Sequence, residues 1–154
     1  YAASKKKYKI TRVVNKFLEK EMKLKKSTIK IFDSFNNKIE ENKNKLKRII
    51  HNYRKKNKTV VGIGCPGRSS TILNFCQISK SDMKYIAEQS SSLKLNKFLP
   101  GMHIPIIDEK EMFENQPDLA ILLSWHYADE IIKILRKKGL KSKVIIPLPR
   151  IKYI

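Results

Sequence analysis

Three glycines near the middle of the sequence have the spacing of a phosphate-binding turn. Gly62, Gly64 and Gly67 fit the pattern G-x-G-x-x-G, between a short apolar run and a segment of helical periodicity. Glycine lets the backbone turn tightly and approach a phosphate closely, while the N–H groups at a helix start attract the anion. The pattern indicates a site for a phosphorylated ligand. Further donors at this turn come from Arg68, Ser69, Ser70 and Thr71.

Two more residues bear on that interpretation. Glu88 ends the second predicted strand, where a carboxylate could accept hydrogen bonds from a ribose, as in an NAD site. Pro66 lies inside the turn and removes one of the N–H donors that such a site uses. Three glycines between a strand and a helix are also explained by tight packing without a ligand. From these residues alone, a ligand-binding turn and a purely structural one both stay open.

The remaining candidate residues lie in loops next to predicted strands. His103 precedes the third strand, and Trp125, His126 and Tyr127 follow the fourth, where ligands bind in open α/β sheets. Each is also explained as a packed or capping side chain. Cys65 is a candidate nucleophile because a thiol at a helix N-terminus has a lowered pKa, but no partner histidine can be identified from spacing. We therefore predict no catalytic residue in this chain.

Length and cysteine content limit the class of protein. The 154 residues suffice for one domain with a core, and no apolar run approaches the ~20 residues of a membrane span. Two cysteines, Cys65 and Cys76, are too few for a disulfide framework or a zinc cluster. We expect a cytoplasmic domain without a metal site. The start at Tyr1, without a signal peptide, suggests a piece of a longer polypeptide.

The net charge of +20 could indicate nucleic acid, an acidic membrane surface or a polyanionic substrate. The lysines, however, are spread over nearly every segment, as a general bias of composition would produce. The basic residues also lack interleaved aromatic residues and any known nucleic-acid motif. We expect no membrane partner and keep nucleic-acid binding only as an alternative.

The periodicity of apolar residues divides the chain in two. Residues 1–57 predict two helices, the second capped at Ser27 and Thr28, and residues 58–154 alternate strands with helices. This alternation predicts an α/β, Rossmann-like three-layer domain: a parallel five-stranded sheet in doubly wound order, preceded by a helical lead-in. The predicted strands span 59–63, 83–87, 104–107, 119–123 and 144–146, and the later helices span 70–77 and 127–138.

Five ordered segments resemble the C-terminal domain of the sugar C-methyltransferase family. They read GIGCPGRSSTILNFC at 62–76, LPGMHIPI at 99–106, QPD at 116–118, LSWHYADEII at 123–132 and IIPLP at 145–149. The first third is similar to the family's helical connector, so the resemblance covers essentially the whole chain. Departures from the family pattern are Ile63, where an aromatic is common, Cys65, where a small residue is common, Gln89 after Glu88, and a slightly longer stretch before Pro100.

The resemblance implies a division of labour in a larger, S-adenosylmethionine-dependent enzyme. A zinc-binding N-terminal segment and a middle domain with the methyl donor and the catalytic base would lie outside this chain. The present domain would bind no cofactor itself and would hold the nucleotide-sugar substrate against the rest of its own polypeptide. Whether this fragment has any activity of its own is left open. The residues expected at the nucleotide diphosphate are Gly62, Gly64, Pro66, Gly67, Arg68, Ser69, Ser70, Glu88, His103, Trp125, His126 and Tyr127.

Three alternatives to that reading stay open from the sequence. The first is an NAD(P)-binding oxidoreductase domain built on the same glycine turn. The second is a basic nucleic-acid-binding module driven by the net charge of +20. The third is a domain that has kept the fold and binds nothing.

Overall fold

Two amphipathic helices begin the part of the chain that the computed structural model describes, which comprises residues 10–25 and 28–154. Helix α1 spans Arg12–Lys25 and helix α2 spans Thr28–Lys55. The predicted pair of helices is confirmed, while the proposed cap at Ser27 lies outside the described residues. None of the described helices is both long enough and apolar enough to cross a membrane.

The chain forms two compact units, one up to Glu40 and one from Glu41 to Ile154. In the first unit the apolar side chains of α1 are exposed, with Val13 at 61% and Phe17 at 63%. In the second unit Leu46 and Ile50, from the last turns of α2, are buried. The unit boundary thus falls within α2, and residues 41–55 belong to the second unit, with Leu46 and Ile50 in its core.

Strands and helices alternate through the rest of the chain, as the sequence predicts. The strands are β1 Val60–Ile63, β2 Ile86–Glu88, β3 Lys97–Phe98, β4 Pro105–Asp108, β5 Leu119–Leu122, β6 Lys143–Ile146 and β7 Lys152–Tyr153. The helices are α3 Arg68–Phe75, α4 Glu109–Asn115 and α5 Ala128–Lys137, and a short 3₁₀ turn covers Trp125–Tyr127.

The strands form one sheet in the order β3-β4-β2-β1-β5-β6-β7. The five inner strands are parallel to one another, whereas the edge strands β3 and β7 pair antiparallel with β4 and β6. The α/β class with a helical N-terminal part is confirmed, but the sheet is mixed and has seven strands instead of five parallel ones. The two edge strands were missed because two residues are too short to leave an alternating pattern.

Helices cover both faces of the sheet, because successive strand residues point to opposite sides. Leu119 and Ile121 of β5 pack in one cluster with α3 and the end of α2. Ala120 and Leu122 pack in the other cluster with α4 and α5. Burial of each leucine or isoleucine side chain stabilises the fold by roughly 1.5–3 kcal/mol. The two clusters therefore hold the strand ends in place.

Helix α4 was not predicted, although its start carries clear local signals. Asp108 is the N-cap, and its side chain accepts a hydrogen bond from the Lys110 N–H at 2.9 Å. Glu109 and Glu111 in the first turn interact favourably with the helix dipole. Hydrogen bonds from the Lys110 N–H and from Ser90 lower the pKa of Asp108. The Asp108 cap followed by acidic residues is a start signal that this sequence offers for the helix.

Candidate functional site

The predicted glycine turn follows β1, the strand at which the strand order of the sheet changes direction. Strand β1 lies between β2 and β5. The connection through α3 leads to β2 on one side of β1, and β5 and β6 lie on the other side. In open α/β sheets this point leaves a crevice at the carboxyl ends of the strands, where ligands bind. We define the glycine loop as residues 62–68, from the end of β1 to the start of α3.

The first half of the glycine loop, residues 62–65, is held by hydrogen bonds from its N–H groups to neighbouring segments. The Gly62 N–H donates to the Tyr85 carbonyl and the Gly64 N–H to the Ala87 carbonyl, both at 2.9 Å. The Cys65 N–H donates to Oε2 of Glu88 at 2.8 Å. These three donors are therefore engaged within the protein, and none faces a ligand.

Gly64 is required by the fold. Its φ of +74° lies in the left-handed region, and a Cβ at this position would clash with Oγ of Ser124. Glycine is therefore needed both for the backbone conformation and for the close contact with the end of β5. The prediction of a tight turn here is correct, and its physical reasons are the left-handed backbone conformation and the nearby Ser124 side chain.

The second half of the glycine loop is open. Gly67 has φ −51° and ψ −35°, and a Cβ added there would meet no atom within 4 Å. Among the described residues, no side chain caps the amino end of α3. Gly67 and Arg68 thus present the start of an eight-residue helix to an exposed surface, which attracts an anion.

The two serines that follow are partly used within the loop. The Ser69 N–H donates to the Pro66 carbonyl at 2.8 Å, and the Ser70 hydroxyl donates to the Gly67 carbonyl at 3.2 Å. Ser69 is completely buried, and its hydroxyl has no partner among the described residues. The Ser69 side chain is therefore closed to a ligand in this conformation, contrary to the predicted role of a donor.

Arg68 extends from the glycine loop to the loop after β5. One of its guanidinium nitrogens lies 3.0 Å from Nδ1 and 3.1 Å from Nε2 of His126. Its guanidinium carbon is 5.8 Å from the centre of the Trp125 ring, within the range of a cation–π contact. The structure thus brings together Arg68, Trp125 and His126, which the sequence predicts at one site. Tyr127, 62% exposed, follows in the same 3₁₀ turn.

A cavity of about 320 Å³ adjoins this group between the ends of β5 and β6. The volume lies in the range of small-molecule sites. Charged side chains in its lining were not predicted, because Asp129, Glu130 and Lys152 show no motif in the sequence. The lining comprises Trp125, His126, Tyr127, Ala128, Asp129, Glu130, Ile146, Leu148, Pro149 and Lys152.

Glu88 is near the glycine loop, as predicted, but it points into the loop. Besides the bond to the Cys65 N–H, its Oε1 accepts from the Gln89 N–H at 3.3 Å. Lys94, which was not predicted at this site, donates to the Cys65 carbonyl at 2.6 Å and lies 3.9 Å from Glu88 Oε2. A lysine in a loop carries no sequence signal, so only its position in space reveals this contact.

The surroundings of Cys65 oppose the reactivity that its position suggests. Burial raises the pKa of the Cys65 thiol above its ordinary value of 9.0, and nearby Lys94 only partly offsets this. The side chain is 6% exposed. The burial of the side chain and the raised pKa both disfavour a thiolate nucleophile at Cys65.

His103 does not join the site. It lies in the turn before β4, whereas the glycine loop follows the end of β1, and these two strands run in the same direction. Asn74, near the carboxyl end of α3, donates to the Pro100 carbonyl in the same turn at 3.0 Å. His103 is thus at the amino ends of the parallel strands, opposite the carboxyl ends where the glycine loop lies. Among the described residues, no three His, Cys, Asp or Glu side chains are grouped to hold a metal ion.

Comparison with known proteins agrees with the resemblance noted from the sequence. The family model for the C-methyltransferase C-terminal domain matches residues 1–149. The chain is also 36% identical over 97 residues to the C-methyltransferase NovU of Streptomyces niveus, an alignment that covers 61% of this chain and 23% of that protein. The chain therefore spans about a quarter of that relative's length. Since the family model covers nearly the entire sequence, this chain belongs to the C-methyltransferase C-terminal domain family.

Proposed function

We propose that this chain is the nucleotide-sugar-binding domain of an S-adenosylmethionine-dependent C-methyltransferase. The observation that carries the proposal is the open second half of the glycine loop. There an uncapped helix start, a glycine without neighbours and the Arg68 guanidinium lie together at one edge of the sheet. Backbone donors with a guanidinium are typical partners of phosphate oxygens, and a diphosphate links the sugar to the nucleoside in such substrates.

The family and the size of the relative support a division of labour. The alignment covers 23% of the C-methyltransferase NovU, so most of that protein lies outside the matched region. We assign the methyl donor, the catalytic base and a structural zinc to such a region of the parent protein. S-adenosylmethionine would supply the methyl group to a carbon that this base has deprotonated beside a keto group. The present chain would contribute by holding the substrate in place, which lowers the entropic cost of the reaction.

The position of Glu88 argues against the rival of an NAD(P)-binding oxidoreductase. In that class an acidic residue after the second strand accepts hydrogen bonds from the ribose. Here the Glu88 carboxylate already accepts the Cys65 N–H and lies near Lys94, and its side chain is 16% exposed. A diphosphate without a specific ribose contact fits this arrangement better. The buried thiols of Cys65 and Cys76 suit a reducing compartment such as the cytoplasm.

A calorimetric titration of the chain tests the proposal. The probes are inorganic pyrophosphate, a panel of nucleoside diphosphates, NADH and S-adenosylmethionine, in about 150 mM salt to suppress unspecific attraction by the basic surface. We expect pyrophosphate and at least one nucleoside diphosphate to bind, and S-adenosylmethionine not to bind. Binding of NADH alone would favour the oxidoreductase, and binding of no probe would leave a domain that only keeps the fold.

The Arg68→Ala variant locates the site. Loss of a charged, hydrogen-bonding partner should weaken diphosphate affinity by about tenfold or more. Arg48→Ala is the matched control, because Arg48 is an exposed arginine on α2 and its loss changes the net charge equally. Equal effects of the two substitutions would attribute binding to the overall charge and would contradict the proposed site.

A further inference from the structure

Lys94 and Glu88 together hold one residue of the glycine loop from outside it. Lys94 donates to the Cys65 carbonyl at 2.6 Å, and Glu88 accepts from the Cys65 N–H at 2.8 Å. The ammonium and the carboxylate are 3.9 Å apart, so they also form an ion pair. Both polar main-chain groups of Cys65 are thus bound by side chains that come from β2 and the loop after it.

Beyond Cys65 the loop is held by local hydrogen bonds, from the Ser69 N–H to the Pro66 carbonyl and from the Ser70 hydroxyl to the Gly67 carbonyl. Pro66 follows Cys65 and has no N–H to donate. The next residue is Gly67, where an added Cβ would meet no atom within 4 Å. Among the described residues, no side chain caps α3. How Cys65 is held, together with these local bonds, therefore sets the direction in which Gly67 and Arg68 present their N–H groups.

The charges of the pair also have opposite effects on an anion. The Glu88 carboxylate, adjacent to the loop, would repel a diphosphate at the start of α3, and the Lys94 ammonium offsets that charge. The Lys94 side chain is 50% exposed, whereas that of Glu88 is 16% exposed. Removal of Lys94 alone would leave a poorly solvated carboxylate beside the loop.

We propose that Lys94 and Glu88 are a positioning pair for anion binding: they fix Cys65 so that the start of α3 stays open, and Lys94 neutralises the carboxylate that does so. This inference rests on the proposed function, because the anion is the diphosphate of the substrate. It assigns no catalytic role to either residue. It predicts that Lys94 matters more than Glu88 and that the loss of both is milder than the loss of Lys94.

The first test measures affinity for inorganic pyrophosphate by calorimetry. We expect Lys94→Met to weaken binding by about tenfold or more, and Lys94→Arg to retain it within about threefold. Glu88→Gln, which keeps the shape and removes the charge, should change binding less. The double variant Lys94→Met with Glu88→Gln should recover part of the affinity that Lys94→Met loses. Recovery in the double variant is a result that a merely structural role would not produce.

The matched control is Lys80→Met, which removes the same charge in the turn between α3 and β2, away from the glycine loop. If Lys94→Met binds pyrophosphate as well as Lys80→Met does while Arg68→Ala does not bind, the positioning pair is wrong and the proposed function stands. If the unchanged chain binds neither pyrophosphate nor any nucleoside diphosphate, the proposed function fails and this inference fails with it.

A second measurement tests, without any ligand, whether Lys94 and Glu88 hold the main chain of Cys65. Amide hydrogen exchange by NMR should accelerate at Cys65 by about tenfold in Lys94→Met and in Glu88→Gln, because the bond to Glu88 opens more often. The amides of Gly62 and Gly64 donate to backbone carbonyls of β2 and its lead-in, and they serve as internal controls. Unchanged exchange at Cys65 in both variants would overturn the inference, and equal acceleration at all three amides would overturn it by indicating general loosening.

Discussion

The two halves of the glycine loop contrast in what holds them. In the first half, the N–H groups of Gly62, Gly64 and Cys65 all donate within the protein. In the second half, Gly67 has no close neighbour and α3 has no side-chain cap among the described residues. Two glycines of one motif are thus required by packing, and the third is not. The contrast teaches that a motif match does not identify which of its residues face a ligand.

Gly62 belongs with the packed half. A Cβ at this position would lie 3.0 Å from Cδ1 of Leu123 and 3.0 Å from Sδ of Met83. The glycine lets the core close over β1, and it makes no direct contribution to a ligand site. The interpretation of tight packing, left open from the sequence, therefore applies to the first half of the loop, and a ligand-binding turn is proposed for the second half only.

The largest effect is expected from Gly64→Ala, which should break the packed half. The left-handed φ of +74° and the contact with Ser124 should together destabilise the fold by about 2–4 kcal/mol. Urea unfolding measures the change. Gly139→Ala is the control, because Gly139 has φ +95° but open space around it, so only the backbone cost applies. A Gly64→Ala loss no larger than the Gly139→Ala loss would contradict the role of Ser124.

Gly67→Ala should have the opposite profile and sharpen the contrast. The φ of −51° suits alanine and nothing lies nearby, so stability should change by less than about 1 kcal/mol. Affinity for pyrophosphate should fall by about tenfold if the ligand approaches the backbone at this point. Unfolding and calorimetry on the same variant compare the two effects. Unchanged affinity would remove Gly67 from the site.

The thiol of Cys65 reports how closed the first half is. Because burial raises its pKa above 9.0, the thiol should react several-fold more slowly with a disulfide reagent than an exposed cysteine at pH 8. The folded state favours the protonated thiol, so the associated stability is complete below pH 9.0 and decreases as pH rises through the folded pKa. A Cys76→Ala background assigns the signal. Fast reaction at neutral pH would contradict a closed loop.

The smallest effect is expected from His103→Ala. His103 lies in the turn before β4, at the edge of the sheet opposite the glycine loop. Pyrophosphate affinity should therefore stay within about twofold, because the His103 side chain cannot reach the ligand from that end of the strands and long-range electrostatic effects are largely screened at physiological salt. A larger loss, measured by the same titration, would show that the ligand reaches beyond the carboxyl edge of the sheet.

The grouping of Arg68 with the loop after β5 was predictable because parallel strands place their carboxyl ends at one edge. That rule alone brings Arg68 near Trp125 and His126, although these two residues are far from Arg68 in sequence. The same reasoning failed for His103, which precedes its strand. It also failed for Ser69, because a residue in the first turn of a helix can face either the core or the solvent, and here it is buried.

The alternation of apolar runs with helical periods determined the α/β class, and local glycine, proline and serine content determined where the turn after β1 lies. These are properties of short segments, so they can be read from the chain itself. Only the tertiary structure decided which N–H groups of that turn remain for a ligand. Glu88 and Lys94 reach Cys65 from separate parts of the chain, and no local pattern encodes a distance through space.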